Sequence, residues 1–380
     1  MKQGWRHHVV RANGDGTITP VQWDVPISGA GPLTDLSGPG AFEGTITPEV
    51  MRLKDEGGPL IVPWSTVVLS ERDEQLKAVS LITDVNENGP DLGLSGVGYG
   101  GYAAQPYTGE TFEGVKVDPL DQVRRMWNHL QGLKGGGSDL GVVIDDTTSP
   151  VRIGEEPRDV SFSTGDGQDV EFEAGPYVLA RWKTDDMAKE IDSLAEQTPF
   201  DYRMEHKWKP NRDDGIESFL RIGYPKIGVR RNRLRFVVGE NVIVRPQIQW
   251  DGDDYASDVL FLGAGEGREQ RWARVAHVTG DRLRRCVVVS DKSVTSGKAA
   301  EKSAWAELDL RLGIEDITEI TVTDHHNARF NTWGLGDEIL ITTPAGWAQK
   351  MRLWVRVLAE KWDCDKDELT LTVKRVEKVS

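Results

Sequence analysis

Between Met351 and Val357 the chain reads MRLWVRV, and its apolar and polar side chains alternate: Met351, Leu353, Val355 and Val357 share one face, and Arg352, Trp354 and Arg356 share the other. A period of two belongs to a strand with one face against a core, because successive Cβ atoms on an extended chain point to opposite sides. The runs ITEITVT, GDEILITT and ELTLTVKRV lie around it and predict a closing β-meander. With 41 glycines, 18 prolines and 13 tryptophans, the composition suits many short strands joined by turns rather than a bundle of long helices.

The N-terminal part, to about Val117, has the same character. HHVVRANGDGTITP predicts a hairpin, and LIVPWSTVVLS and LKAVSLITDV predict strands, with glycine-rich loops at ISGAGPLTDLSGPG and GVGYGGYAAQPYTG. A barrel or sandwich follows. At Asp118 the period changes. Asp118 suits a helix N-cap and Pro119 the first helical position, and Leu120, Val123, Trp127 and Leu130 recur at helical spacing until Gly132. Gly135 to Gly137 follow as a flexible connection. A second helix is expected from Thr184, with Asp185 and Asp186 at the positive end of its dipole and Met187, Ile191 and Leu194 on one side, ending before Pro199. Strands resume at FDYRMEHKW and SFLRIGY, and LRFVVGENVIVRPQI predicts a strand, a turn at Gly239 to Asn241 and a second strand. SGKAAEKSAWAELDLRLG predicts a third helix ending at Gly313.

A chain of 380 residues has room for two to three domains. Its 61 acidic against 46 basic residues leave a net charge of -15, so the average surface repels a phosphate backbone and a dedicated DNA binder is disfavoured. Cys286 and Cys364 are too few for a disulfide framework. The N-terminus lacks the apolar core of a signal peptide, and no run of about 18 apolar residues spans a bilayer, so a soluble protein is expected.

Motifs that carry chemistry fail on spacing. In LGAGEGREQRW, glycines 263, 265 and 267 follow an apolar run, but a dinucleotide loop needs its third glycine one residue later and a helix after it. The alternation of Trp272, Arg274 and Ala276 against Ala273, Val275 and His277 predicts a strand instead, with the glycines at the tip between two strands. SGKAAEKS has Lys292 where a phosphate loop needs its first glycine. Of two calcium-like stretches, NGDGTIT from Asn13 lacks the glutamate that closes a twelve-residue loop. DCDKDE from Asp363 has Glu368 where the turn glycine belongs, and both read as hairpin turns. The pairs His7, His8 and His325, His326 cannot chelate one ion from opposite faces of a strand, and they are expected at the surface or in loops. GVRRNRLRF places Arg231, Arg233 and Arg235 on one face of a strand, as a solvated edge or a subunit contact. No residue qualifies for a catalytic, cofactor-binding or metal role.

In their order, VVRANGDGTITPVQWDVP, SGPGAFEGTITPE, DPLDQVRRMWNHLQ, LRFVVGENV, YASDVLFLGAGEG and the closing stretch from GLGDEILITTPAGW to ELTLTV resemble the tail-tip (baseplate) hub family of long-tailed bacteriophages, which includes the N-terminal part of tail-associated lysins. The resemblance implies a mainly β chain with α+β parts: a first β-barrel hub domain over 1–117, an α+β domain over 118–233, and a second, discontinuous β-barrel over 234–262 and 314–380. An α+β part with the third helix, 263–313, is inserted in it. It implies a virion structural protein at the tail tip, made in the host bacterial cytoplasm: a homotrimer that caps the tail tube and touches the distal tail protein, the tape-measure protein and other tail-tip or receptor-binding proteins. DNA is expected only in transit, past an acidic lumen, with no stable membrane insertion, no cofactor and no metal. Lysins of the family carry a cell-wall-cleaving domain after the hub; this chain ends at Ser380, and no enzymatic activity is expected. Two other readings stay open. One is a receptor- or carbohydrate-binding tail protein, suggested by the tryptophans, although Trp127 and Trp305 lie on helices where core packing accounts for them; the other is a cell-wall glycosidase, which needs two carboxylates converging in a cleft.

Overall fold

The computed structural model describes residues 4–52, 54–55, 58–105, 111–154, 156, 158–163, 169–180, 186–244, 246–250, 252–253, 255–265, 270–277, 280, 282–291, 294, 296–312, 315–343 and 351–378. Twenty-six strands and four α-helices occur among them, so the protein is mainly β. The helices are α1 (Pro48–Met51), α2 (Pro119–Gln131), α3 (Met187–Gln197) and α4 (Gly297–Leu312). The chain divides into two compact units, residues 1–228 with 359–369, and residues 229–358 with 370–380.

The first unit is built on a six-stranded antiparallel sheet that curls into a half-barrel, in the order Ile18–Gln22, Trp5–Ala12, Thr66–Arg72, Gln75–Asn88, Asp91–Gly98, Phe42–Ile46. The expected hairpin over 7–20 is its first pair, turned at Asn13–Thr17, where the Asp15 carboxylate accepts the backbone N–H of Thr17 at 3.0 Å. Thr66–Arg72 is buried at every position, as befits a central strand covered on both faces. One core joins Val67, Leu69 and Leu81 of this sheet to Leu120 and Trp127 of α2 and to Ile191 of α3. The α2 helix forms as expected: Asp118 caps it by accepting the Leu120 N–H, Pro119 occupies the first turn, and Gly132 ends it. The α3 helix begins at Met187, with Asp186 as the cap that accepts from Lys189; Thr184 and Asp185 lie outside the described residues. Beside them, Val142–Ile144 runs parallel to Ile216–Gly223, which pairs antiparallel with Asp201–Trp208. Residues 359–361 pair with Leu33–Asp35, so the far end of the closing hairpin belongs to this unit.

In the second unit the main sheet runs Phe236–Val237, Glu338–Thr342, Arg352–Asp363, Glu368–Lys378, Glu319–Val322. The alternation from Met351 to Val357 is realised, with Met351, Leu353, Val355 and Val357 buried and Arg352 exposed. Trp354 is buried too, beneath the Arg230 guanidinium at 4.7 Å from its ring centroid. The expected strand pair over 234–248 is smaller than its sequence suggested. Phe236–Val237 forms a ladder parallel to Ile341–Thr342, after the turn at Gly239 the backbone makes isolated bridges from Val242, and Ile248 opens a separate strand that pairs with Glu315–Ile317. Buried Asn241 explains this: its side chain accepts the Val237 N–H at 2.9 Å and donates to the Arg235 carbonyl at 2.9 Å, taking groups that a hairpin ladder would use.

A smaller sheet, Trp272–Ala276, Asp258–Leu262, Cys286–Ser290, carries α4 on one face. Ala300, Ala304 and Leu308, four apart on the helix, pack against Val259, Phe261 and Val275. Trp305 lies outside that stripe and is 44% exposed, so core packing does not account for it. Gly313, the expected end of the helix, lies outside the described residues.

Candidate functional site

The glycine stretch after Leu262 turns between antiparallel strands, as its spacing implied. Gly263 donates to the Arg271 carbonyl at 2.6 Å, and a Cβ there would lie 2.5 Å from the Val294 carbonyl oxygen, so close backbone approach accounts for this glycine. Gly265 takes φ 96°, while Gly267 lies outside the described residues. Lys298 and its neighbours open α4, whose first turn is held by Ser296 accepting from Ala299. Lys292 lies outside the described residues.

The arginine run departs from expectation. No strand forms over 229–235; Arg230 pairs with Glu338 and Arg231 with Asp337, each at 2.7 Å. Both carboxylates are buried, so these arginines neutralise interior charge instead of fringing an open edge. The stretch from Asp363 to Glu368 is also more than a turn. Asp365 accepts the Gly29 N–H at 2.8 Å, and Asp367 accepts Arg72 and the Trp5 indole, so its carboxylates fan out to separate partners.

His7 and His8 are buried, not superficial. They lie in a strand whose next residues, Val9 and Val10, are core, and that local apolar context was the signal for their burial. His7 Nδ1 is 3.1 Å from Ser70 Oγ, and burial, reinforced by the charge of His8, pushes its pKa down to about 4. His8 Nδ1 accepts the Asp24 N–H at 3.2 Å, which places the ring proton on Nε2, 3.6 Å from the Glu71 carboxylate. Burial lowers the His8 pKa, and Glu71 opposes that shift. Glu71 is paired with Arg212, whose guanidinium lies 4.3 Å from the centroid of Trp208, and the His8 ring meets Trp23 and Trp208 edge-on. A second histidine and serine meet at His206 Nδ1 and Ser218 Oγ, 2.9 Å apart.

A nucleophilic serine needs a base and an open path for substrate. Ser70 is fully buried and Ser218 is 2% exposed, so neither hydroxyl presents itself to a substrate. Each serine hydroxyl meets a histidine in the interior, while His8 Nε2, Glu71 Oε1 and Trp208 Nε1 are buried without a hydrogen-bond partner among the described residues.

Two of the open recesses bordered by described residues of the first unit have charged walls. One, of about 380 Å³, is bordered by Trp5, His7, Asp24 and Asp365. The other, of about 730 Å³, runs along the polar face of α2, with Lys116, Arg124, Arg125, Asn128 and Arg152 at its walls and Asp118 and Asp121 beside them. Asp118 is spent on structure: beyond the cap it accepts Ser149 N at 2.7 Å and Ser149 Oγ at 2.8 Å. The cationic residues of α2 stand in the sequence as the polar side of an amphipathic helix; that Lys116 and Arg152 meet them is a tertiary fact. Among the described residues, no three of His, Cys, Asp and Glu gather in a way that could hold a metal ion, and the cysteines are free.

No protein-family model matches the chain, and no curated protein matches it in sequence. Solved structures do share its fold from end to end. The 43 kDa tail protein of prophage MuSo2 from Shewanella oneidensis is 13% identical, with 97% of this chain and 98% of that one covered at a TM-score of 0.51. A tail protein from Neisseria meningitidis MC58 is 14% identical over 98% and 96% of the two chains, at 0.53. Prophage tail protein gp18 from Listeria monocytogenes EGD-e is 11% identical over 96% and 94%, at 0.50.

Proposed function

We propose that this chain is a structural protein of a bacteriophage tail, and within the tail the hub of a long-tailed phage's tip. The observation that carries the reading is the end-to-end likeness of fold to three tail proteins, in chains of nearly the same extent. In this reading the hub is a homotrimer around the tail axis that caps the tube, contacts the distal tail, tape-measure and receptor-binding proteins, and opens for DNA. Its barrel-like domains are 1–117 and 234–262 with 314–380, and its work is assembly, without catalysis.

Charge is unevenly shared between the two compact units. The first has 42 acidic and 24 basic residues, the second 19 and 22. A lumen that lets DNA pass without phosphate contacts would therefore draw its wall from the first unit. The test is size exclusion with light scattering, averaged electron images, and antibody labelling of purified tails. A three-fold ring with an acidic opening, labelled at the tail tip, is the expected result. A monomer at every concentration, together with unlabelled tails, refutes the proposal.

Three exposed tryptophans, Trp64 at 59%, Trp272 at 63% and Trp305 at 44%, favour a second reading, a glycan-binding tail protein, since sugars stack on accessible indoles. Saturable binding to host-wall glycans, abolished by Trp272→Ala, supports it; a blank glycan array rejects it.

A further inference from the structure

We propose that the recess along α2 is a docking groove for an acidic polypeptide segment of a partner protein, whose carboxylates seat against Lys116, Arg124, Arg125 and Arg152. The inference is independent of the tail reading. It begins from an imbalance: the first unit has an excess of acidic residues, yet four cations border one open recess, with Asp121 the one carboxylate there not committed to the backbone cap.

Four cations against the two carboxylates Asp118 and Asp121 leave the recess with a net positive charge, and each guanidinium is held in place. Arg124 donates through Nη1 to the carbonyls of Asp145 and Thr147, at 3.2 and 2.7 Å, and reaches Asp121 through Nη2. Arg152 donates to the carbonyls of Ser149 and Val151, both at 2.6 Å, while Asp118 stands 3.9 Å away. Arg125 lies over the Phe112 ring at 4.9 Å and donates to the Gln122 side chain at 3.2 Å. A ring face and an amide orient the Arg125 guanidinium but leave most of its charge, so its fork stays available for a carboxylate. Lys116 is exposed at the rim in the left-handed region, φ 52°, its backbone N–H fixed to the Gly154 carbonyl at 3.0 Å. A non-glycine residue held there by its surroundings is the kind of local strain found at binding sites.

Size and surrounding charge select the ligand. A volume of about 730 Å³ lies within the range of roughly 300–1,000 Å³ typical of ligand pockets, and so suits a short segment. Glu113, Asp145 and Asp146 lie two or three positions in sequence from lining residues, and the rest of the unit is acidic. A nucleic acid backbone tracking across that surface meets repulsion beyond the groove, whereas a short acidic stretch fills the local positive field within a Debye length of about 8 Å.

The probe is fluorescein-labelled hexaglutamate titrated with the full chain at low salt and read by anisotropy, with labelled hexathymidylate in parallel. Saturable binding of the peptide with a Kd below about 1 mM is expected. The double variant Lys116→Glu, Arg125→Glu should weaken it at least about tenfold with an unchanged melting midpoint, the loss expected when two charges meeting carboxylates are reversed. If that variant folds poorly, Lys116→Gln with Arg152→Gln replaces it, with a smaller loss in the same direction. Absence of saturable peptide binding to about 1 mM, equal affinity in a folded variant, or tighter binding of the oligonucleotide overturns the proposal.

Discussion

Replacing Asp367 by asparagine takes one negative charge out of the tip of the closing hairpin and leaves its shape. The residue sits at φ 56°, a left-handed conformation that asparagine tolerates as well as aspartate does. Its Oδ1 accepts Arg72 Nε at 2.6 Å and the Trp5 indole N–H at 2.9 Å, and its Oδ2 accepts Arg72 Nη2 at 2.8 Å. The Arg72 side chain is 6% exposed and that of Asp367 46%. A charge-assisted bond is worth about 1.5–3 kcal/mol, but solvent reaches the carboxylate, and Arg72 keeps Asp73 at 2.7 Å. The expected loss is about 1–2 kcal/mol, below the roughly 3–5 kcal/mol of a stranded buried ion. Arg72 holds the Asp367 carboxyl below the usual range. Its contribution is therefore complete above an unfolded pKa of about 3.9 and disappears as pH falls through the lower folded value. Because two compact units need not unfold together, the assay is native-state hydrogen exchange resolved to residues 359–369. At pH 7 the variant should lose roughly 5–30-fold of its protection there, and at about pH 3 the difference from wild type should shrink after correction for intrinsic exchange. Unchanged protection at pH 7, or an equal difference at both pH values, refutes the reasoning.

Trp127 is 1% exposed in the core between α2 and the curled sheet, and Trp127→Ala should cost about 3–5 kcal/mol, read as a lowered denaturation midpoint of the first unit. A loss under about 1 kcal/mol means that this core is not as tight as described. His7 should titrate near pH 4 by NMR instead of near 6.5. A histidine buried neutral stabilises fully above its unfolded pKa, so its contribution, about 2–3 kcal/mol, should be lost as pH falls from about 6.5 towards 4. A midpoint near 6.5 rejects the burial argument.

Local pattern determined a good deal of this protein. Asp118, Pro119 and Gly132 marked both ends of α2, and the alternation from Met351 to Val357 separated its buried face from its exposed one, because capping and periodicity act between near neighbours. The turn after Leu262 was legible for the same reason: its flanking alternation and its glycine spacing are local. Partner choice is not. Nothing near Phe236 marks it as the parallel neighbour of Ile341, nor residues 359–361 as partners of Leu33–Asp35, since strands of similar composition offer the same backbone donors and acceptors to many neighbours. His7 and His8 were expected outside because histidine is polar, and they are inside because the folded chain brings them serine, backbone N–H and indole partners. The candidate groove divides along the same line. Arg124 and Arg125 follow from the polar face of one helix, but Lys116 and Arg152 join them only when the Lys116 and Val117 N–H groups reach the carbonyls of Gly154 and Ile153. Sequence records which residues prefer water and where the backbone bends; which distant charges share a groove is decided by tertiary packing, which selects one set of long-range contacts from many that local preference allows.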